Sequence, residues 1–289
     1  MIRRLLLLVV ACGVVAGCST IQIDEEDVFL PKPSVTPQRF PVDGVQLEEH
    51  SIAVSDSIRL NAWHLTQPNA EATVLFFGGN GFYLVQSLGY IQALTDLPVN
   101  LVMWDYRGYG VSDGAPSVPA FKSDALAVYR YTVDSLGVAP SRLLLHGHSL
   151  GTFLASYVAT EREAGAVVLE NPATSVNGWV RNVIPWYIRL FVDVEVDDTL
   201  GAESNTARVR SIRTPLLVVG GTDDQVTAPD MARELYDAAS RAQRHLVMVE
   251  GGGHNELYAD SAYTATYEMV LRQMASNAPA AASTIRPAE

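Results

Sequence analysis

Cysteine and positive charge are both scarce in this chain of 289 residues. Its two cysteines fall within the first 18 residues, which excludes a disulfide-rich scaffold and a four-cysteine zinc site. Lysine and arginine total 20 against 32 acidic residues, so the formal net charge is −12. Such a chain lacks the basic surface that phosphate backbones require, and the sequence therefore predicts no nucleic-acid partner.

Charged residues of both signs together make up only 18% of the chain, whereas hydrophobic residues make up 48%. This balance excludes a chain that is disordered throughout, and the length suffices for one large domain with a sizeable core. The sequence contains no H-E-x-x-H motif and no comparable cluster of metal ligands. We therefore expect neither a metal nor a cofactor.

The first residues have the pattern of a signal peptide over residues 1–17. Arg3 and Arg4 precede an apolar run that is too short to span a bilayer, and no stop-transfer segment follows it. The run ends in Val-Ala-Gly-Cys, which resembles the bacterial lipobox and makes Cys18 the predicted lipidation site. Cys12 is a poorer candidate, because the apolar run before it is very short. An ordinary secretory signal with an incidental cysteine is the alternative.

The resemblance to a lipobox implies a location and a membrane contact. A lipidated Cys18 anchors the chain in the bacterial cell envelope. Ser19 at the second mature position, in place of aspartate, implies the outer membrane with the chain facing the periplasm. The mature chain would contain no further cysteine, which suits an oxidising compartment.

Composition divides the rest of the chain into three segments. Residues 18–44 form a predicted tether, because four closely spaced prolines between residues 31 and 41 favour extended chain and exclude regular helix. Residues 45–275 form the predicted folded domain, with a cap insertion at about residues 172–213. The Ala/Pro/Ser-rich residues 276–289 form a predicted disordered tail.

The predicted domain alternates short apolar runs with helical patterns. Residues 51–54 and 58–65 predict a hairpin, and residues 117–137 predict a helix with Ser117 at its start and Gly137 at its end. Apolar runs bounded by turns are typical of strands buried on both faces of a mostly parallel sheet. We therefore expect an α/β fold with helices on both faces of the sheet. Further strands are predicted at residues 73–77, 99–104, 142–146, 166–169, 216–219 and 245–249.

The G-x-S-x-G pattern of a nucleophile elbow occurs twice, around Ser112 and around Ser149. The elbow needs a strand before the serine, a helix after it and small flanking residues, because the turn is tight. An apolar strand pattern precedes Ser149 and a helical pattern follows it, whereas Ser112 is followed by the turn signal Asp-Gly-Ala-Pro. Ser149 is therefore the predicted nucleophile, and Ser112 is interpreted as a loop serine.

The acid and then the histidine follow such a serine along the chain. Of the two later histidines, His245 begins a predicted strand, whereas His254 follows three glycines in a loop from which a general base can reach the serine. We therefore predict His254 as the base. The acid is expected after the strand at 216–219, where Asp223 and Asp224 compete.

Glycine is concentrated directly after the predicted strand at residues 73–77, in the sequence Gly-Gly-Asn-Gly. Loops at this place supply one backbone donor of an oxyanion hole, and the residue after the nucleophile supplies the other. We therefore predict Leu150 as one donor and Asn80, or alternatively Gly79, as the second. Of the other histidines, His148 is expected to line the pocket, and the two in the hairpin are expected to be solvated or packed.

Several segments together resemble the α/β-hydrolase superfamily of serine hydrolases, and more narrowly its bacterial esterase-like members with a short lid. The resemblance implies the α/β-hydrolase fold and structural roles for Asp105 and Arg107. Similar hydrolases place the acid three residues after a turn glycine, which favours Asp224 over Asp223. Relatives often carry histidine where this chain has Gly78. The segments are residues 77–81, 104–112, 147–151, 221–224 and 253–254.

Members of this superfamily usually carry a cap at the position of residues 172–213. The segment has three interpretations here: an apolar roof over an acyl-binding pocket, an aromatic stripe packed on the domain, or a membrane contact. Several acidic residues in the same segment disfavour a close approach to an anionic surface. Its large apolar residues are Trp179, Trp186, Tyr187, Ile188, Leu190 and Phe191.

The sequence thus predicts a lipid-anchored serine hydrolase that cleaves a small-molecule carboxylic ester through an acyl-enzyme, a carboxylesterase-like activity. A thioesterase or a peptidase of the same fold is an alternative, because the fold does not decide between these chemistries. A second alternative is an inactive hydrolase-fold protein that binds an envelope ligand. The complete set of nucleophile, acid and base argues against it, because a binding protein needs no such set.

Overall fold

The apolar runs of the sequence form the strands of a central sheet. The computed structural model describes residues 19–31, 42–55, 57–185, 187–190, 192–239 and 243–277. The strands within these ranges are β1 (Ser19–Ile23), β2 (Gln46–Ala53), β3 (Arg59–Thr66), β4 (Ala72–Phe77), β5 (Val99–Trp104), β6 (Leu143–His148), β7 (Ala166–Glu170), β8 (Val192–Val196), β9 (Leu216–Gly221) and β10 (Arg244–Val249).

The central sheet contains eight of these strands in the order β10-β9-β7-β6-β4-β5-β3-β2. The hairpin of β2 and β3 is antiparallel, and so is the pairing of β3 with β5. The remaining pairs in this sheet are parallel. Every residue of β4, β6, β7 and β9 is buried, as expected for strands covered on both faces. The predicted α/β fold with a mostly parallel sheet is confirmed.

Helices cover both faces of the sheet and form two hydrophobic cores. Side chains alternate along a strand, so Leu75 of β4 packs into one core and Val74 and Phe76 pack into the other. The helices are α1 (Glu25–Val28), α2 (Leu88–Thr95), α3 (Val118–Arg130), α4 (Gly151–Glu161), α5 (Val176–Val183), α6 (Asp198–Gly201), α7 (Asn205–Val209), α8 (Pro229–Ala238) and α9 (Ser261–Asn277).

Helix α3 begins and ends close to the predicted residues. The Ser117 hydroxyl accepts a hydrogen bond from the Ala120 N–H at 3.3 Å, which caps the first turn. A π-helical turn, Tyr131–Ser135, continues the helix. The chain then leaves it at Gly137, whose φ of 72° lies in the left-handed region that glycine adopts without strain.

The predicted tether differs from the structure over residues 19–31. Strand β1 pairs in parallel with β8 of the cap, and α1 follows it. Phe29 is 3% exposed and its ring centroid lies 4.7 Å from that of Phe121. The prediction was wrong here because the prolines begin only at residue 31. Before them, Phe29 is buried in the core, and Ile23 and Val28 pack partly against it.

The other predictions for the ends of the chain concern residues outside the described ranges. These are the signal peptide at residues 1–17, the lipidation site Cys18, residues 32–41 of the tether and residues 278–289 of the tail. Residues 276 and 277, which the tail was expected to include, belong to α9. Among the described residues, no helix has the length and apolar character needed to cross a membrane.

The packing of Phe29 makes a stability prediction. The substitution Phe29→Ala is expected to lower the free energy of unfolding by about 3 kcal/mol, because it removes a buried aromatic side chain and leaves a cavity. The matched change Leu30→Ala alters a side chain that is 50% exposed and is expected to cost less than about 1 kcal/mol. Urea denaturation followed by tryptophan fluorescence measures both. Equal effects of the two substitutions would show that residues 19–31 do not pack on the domain.

Candidate active site

Ser149 lies in the tight turn between β6 and α4. Its φ of 52° is in the left-handed region, as a nucleophile elbow requires. The flanking glycines provide clearance, since a Cβ on Gly151 would lie 2.0 Å from the Phe77 carbonyl oxygen and one on Gly147 would lie 2.4 Å from that of Gly151. The Ser149 N–H donates to the Glu170 carbonyl at 2.9 Å, which ties the turn to β7. The turn thus presents the hydroxyl at the carboxyl end of the sheet.

The structure brings Ser149, His254 and Asp224 together in a hydrogen-bonded chain. His254 Nε2 lies 2.9 Å from Ser149 Oγ, and His254 Nδ1 lies 2.8 Å from Asp224 Oδ2. With Nδ1–H donating to the carboxylate, Nε2 is the nitrogen that accepts the hydroxyl proton. Of the two adjacent carboxylates left open by the residue pattern, Asp224 contacts the histidine.

Asp224 is 5% exposed and held in one orientation by the loop that follows it. Its Oδ1 accepts the N–H groups of Val226 and Thr227 at 2.7 and 2.9 Å, and its Oδ2 accepts the Thr227 hydroxyl at 2.7 Å. Burial alone would raise the pKa of Asp224, but the hydrogen bonds from His254 and from this loop keep the pKa below its ordinary value. The carboxylate is therefore ionised at neutral pH and can stabilise a protonated His254.

Two further side chains fix the backbone of the histidine loop. Asn171 Nδ2 donates to the carbonyl oxygens of His254 at 2.8 Å and Gly253 at 3.1 Å. His148 Nε2 donates to the same His254 carbonyl at 2.9 Å. Burial lowers the pKa of His148, which keeps its ring neutral at neutral pH. The sequence pattern placed His148 in the pocket but missed Asn171, whose one local signal is its position directly after a buried strand.

The glycine-rich loop after β4 lies against the nucleophile. A Cβ on Gly79 would lie 2.8 Å from His148 Nδ1 and 3.4 Å from Ser149 Cβ, so only glycine lets the loop approach this closely. Within the described part of the chain, the backbone N–H groups of Asn80 and Leu150 make no hydrogen bond to another protein group. Both residues line the cavity at Ser149. Both N–H groups are therefore available to a bound group, and their role as oxyanion donors stays a prediction.

The Asn80 side chain is held by the segment of residues 28–30. Its Oδ1 accepts the Leu30 N–H at 3.1 Å and the Tyr109 hydroxyl at 3.0 Å, and its Nδ2 donates to the Val28 carbonyl. Tyr83 donates from its hydroxyl to the Leu30 carbonyl at 3.0 Å. The segment thus clamps the loop that carries the predicted oxyanion donor. No local motif indicates this clamp, because its two halves lie 50 residues apart in the chain.

A cavity of about 320 Å³ opens at Ser149 beneath the cap, with Trp179 of α5 in its wall. A second pocket of about 230 Å³ adjoins it on the other side of His148 and is lined by Gln86 and Glu256. The first has a mostly apolar wall and the second a more polar one. Cap residues Trp186 and Phe191 fall outside the described positions. Apolar side chains around the larger cavity are those of Val28, Leu30, Phe153, Val176, Trp179 and Val226.

The second G-x-S-x-G serine has a structural place. Ser112 donates from its hydroxyl to the Asp105 carbonyl at 2.7 Å and accepts the Asn61 N–H at 2.9 Å. The Asp105 carboxylate is buried and accepts the Leu84 N–H at 2.9 Å. Arg107 pairs with the buried Asp124. These contacts fix the loops beside the site, in agreement with the structural roles implied for Asp105 and Arg107.

Comparison with solved structures identifies the fold of this chain. An esterase of Pyrococcus furiosus superposes with a TM-score of 0.63 at 16% identity, covering 84% of this chain and 98% of that one. A monoacylglycerol lipase of Paleococcus ferrophilus superposes with a TM-score of 0.57 at 18% identity, covering 74% and 99%. At these identities the likeness establishes the fold alone, which is the α/β-hydrolase fold.

Sequence comparison gives the family. A family model described as serine aminopeptidase, S33, matches residues 68–206 and 196–261. An uncharacterised protein of Mycobacterium tuberculosis (strain H37Rv) is 30% identical over 209 residues, 71% of each chain. The α/β hydrolase domain-containing protein 17C of Xenopus tropicalis is 33% identical over 195 residues, 66% of this chain and 59% of that protein. The chain therefore belongs to the S33 family of α/β hydrolases.

The clamp on Asn80 makes a prediction about turnover. The change Asn80→Ala keeps the backbone N–H but removes the three hydrogen bonds that fix the loop, so kcat for an ester is expected to fall roughly tenfold with a smaller change in KM. The control Asn177→Ala removes an exposed amide that bonds to the Gly201 carbonyl away from the cavity. Steady-state kinetics of both variants measure the difference. Unchanged kcat in Asn80→Ala would contradict a positioning role for the clamp.

Proposed function

We propose that the protein is a serine hydrolase that cleaves carboxylic esters through an acyl-enzyme. The observation that carries the proposal is the position of His254, which contacts the Ser149 hydroxyl with one ring nitrogen and the Asp224 carboxylate with the other. This arrangement supplies an activated nucleophile and a general base in one hydrogen-bonded chain.

The mechanism begins with attack of Ser149 Oγ on the ester carbonyl carbon while His254 Nε2 takes the hydroxyl proton. The negative charge that develops on the carbonyl oxygen is stabilised by the N–H groups of Asn80 and Leu150. Protonated His254, stabilised by Asp224, then gives its proton to the leaving alcohol oxygen as the ester bond breaks. A water molecule repeats the sequence on the acyl-enzyme, releasing the carboxylic acid and restoring the serine.

The shape of the site supports a division of the substrate between the two pockets. The apolar cavity beneath Trp179 suits an acyl chain, and the more polar pocket near Gln86 suits the leaving alcohol. An ester joins two such groups at one carbonyl carbon, which would lie at Ser149. Thioesters and amides are cleaved by the same chemistry, and the name of the family model keeps amides among the substrates to test.

The proposal includes lipid anchoring at Cys18 in the bacterial envelope, on the side facing the periplasm. Strand β1 begins at Ser19 and pairs with β8, so an acylated Cys18 would attach directly beside the cap. Two large apolar cap side chains, Tyr187 and Leu190, are 55% and 67% exposed. Apolar side chains beside an anchor favour contact with a lipid surface.

Labelling with a fluorophosphonate tests the nucleophile. One covalent adduct per chain is expected on the signal-less wild type and on Ser112→Ala, measured by intact mass, and none on Ser149→Ala. Turnover of a chromogenic short-chain ester is expected to fall by roughly 10⁴-fold or more in Ser149→Ala. No adduct on folded wild type would overturn the proposal and favour an inactive binding protein. Faster cleavage of a thioester or an aminoacyl amide than of the ester would reassign the substrate.

Expression of the full chain in a bacterium tests the anchor. Wild type and Cys12→Ala are expected to enter the detergent phase of a Triton X-114 separation, because two or three acyl chains hold a protein firmly in a membrane. Cys18→Ala is expected to stay in the aqueous phase. Mass analysis of the N-terminal peptide should find the acyl groups on Cys18. Wild type in the aqueous phase after cleavage of its signal would contradict lipidation.

A further inference from the structure

Three potential metal ligands meet on the edge hairpin, away from the triad. Glu48 and His50 are two residues apart on β2 and therefore share one face of the strand. His64 of β3 pairs directly with Glu48, which brings it onto the same face. One ligand atom from each side chain lies within 4.8 Å of the other two. The pairing of two strands creates this cluster, and no linear motif records it.

Each histidine of the cluster has one buried ring nitrogen that is left without a hydrogen bond. The Nε2 atoms of His50 and His64 are both buried and, within the described residues, have no hydrogen-bond partner. A buried polar atom without a partner is unfavourable, so such atoms call for an explanation by an unseen ligand. His50 Nε2 lies 3.7 Å from Glu48 Oε2, and ligands of a tetrahedral zinc ion lie roughly 3.4 Å apart. The exposed Glu48 side chain can close the remaining difference by rotation.

Tyr131 supplies the outer contact that metal-binding histidines usually make. Its hydroxyl oxygen lies 3.0 Å from His50 Nδ1, at the π-helical turn after α3. A proton on Nδ1 donated to this oxygen leaves the lone pair of Nε2 directed at the cluster. Such outer-shell contacts fix the tautomer and the ring orientation of a ligand.

We propose that Glu48, His50 and His64 bind a divalent transition-metal ion, with Zn²⁺ the ion that this ligand set fits best. Two imidazole nitrogens and one carboxylate oxygen are a zinc ligand set, with water completing the tetrahedron. The nitrogen ligands disfavour Mg²⁺ and Ca²⁺, which take oxygen. The ion would join the edge strand β2 to β3. None of its ligands lines the cavity at Ser149, so the site is structural and separate from the proposed ester chemistry.

Zinc titration of the full chain tests the site. The protein is purified without a histidine tag, treated with EDTA, dialysed, and its thiols are blocked to remove Cys12 and Cys18 as ligands. Isothermal titration with ZnCl₂ is expected to give one ion per chain. With Co²⁺ as a spectroscopic probe, visible absorption bands of the intensity typical of four-coordinate cobalt are expected. Wild type that takes up no Zn²⁺ would overturn the proposal.

Matched variants assign the ion to the proposed ligands. His64→Gln is expected to weaken Zn²⁺ binding by roughly 100-fold or more, and Tyr131→Phe by 10–100-fold through its loss of the outer contact. Glu48→Gln changes a side chain that is 64% exposed and provides the variant least able to disturb the fold; a tenfold or greater loss is expected. The control is His245→Gln. His245 lies on β10, the edge strand opposite β2, and contacts Gln273 of α9.

The pattern among these variants decides the outcome. Full affinity in wild type and His245→Gln, with losses in Glu48→Gln, supports the site even if His64→Gln fails to fold. Equal affinity in wild type, Glu48→Gln and Tyr131→Phe would overturn it, because zinc would then bind elsewhere. Fluorophosphonate labelling is expected to be the same with and without Zn²⁺, which makes a failure of this proposal distinguishable from a failure of the proposed function.

Discussion

The left-handed backbone of Ser149 is the constraint on which the active site depends. A non-glycine residue in this region costs of the order of 1–3 kcal/mol, and it persists only where the surroundings hold it. Here β6 fixes the residue from one side, α4 fixes it from the other, and the Glu170 carbonyl accepts its N–H. The strain places a hydroxyl group above the edge of the sheet, where loops from other strands converge on it. His254, Asp224 and the glycine-rich loop after β4 are all arranged around that one fixed point.

A buried polar network supports the elbow from below. The Glu170 carboxylate, fully buried at the end of β7, accepts Tyr90 at 2.9 Å, His146 at 3.0 Å and Tyr263 at 3.2 Å. Burial alone would raise the pKa of Glu170, but the hydrogen bond from His146 holds the pKa below its ordinary value. Side chains from β6, β7, α2 and α9 therefore meet at one carboxylate beneath the residues that hold the histidine loop.

Local patterns in the sequence predicted most of this architecture. The strands buried on both faces, the helix from Ser117 and the choice between Ser112 and Ser149 all follow from neighbouring residues, because a turn or cap is specified within a few positions. Asp223 and Asp224 differ in the direction of their side chains, which only the folded loop between β9 and α8 determines. Family resemblance favoured the residue that the structure places against His254.

Contacts between segments that are distant along the chain could not be predicted from the sequence. Asn171 holds the histidine loop from a position 83 residues away, and residues 28–30 hold Asn80 across the face of the site. Neither pair is marked by a sequence motif. In each pair a side chain bonds to backbone groups, which nearly every residue type offers. The packing of Phe29 was missed for another reason: the prolines that follow it led to the prediction of an extended tether. The cluster of Glu48, His50 and His64 required the register of the hairpin.

The central claim is that Ser149 carries the acyl group during turnover. Rapid-quench kinetics with p-nitrophenyl acetate measure this directly: the account predicts a burst of one p-nitrophenol per chain, and an acetyl group on the peptide that contains Ser149 in acid-quenched samples. Ester hydrolysis without an acylated serine, or hydrolysis of undiminished rate in Ser149→Ala, would contradict it.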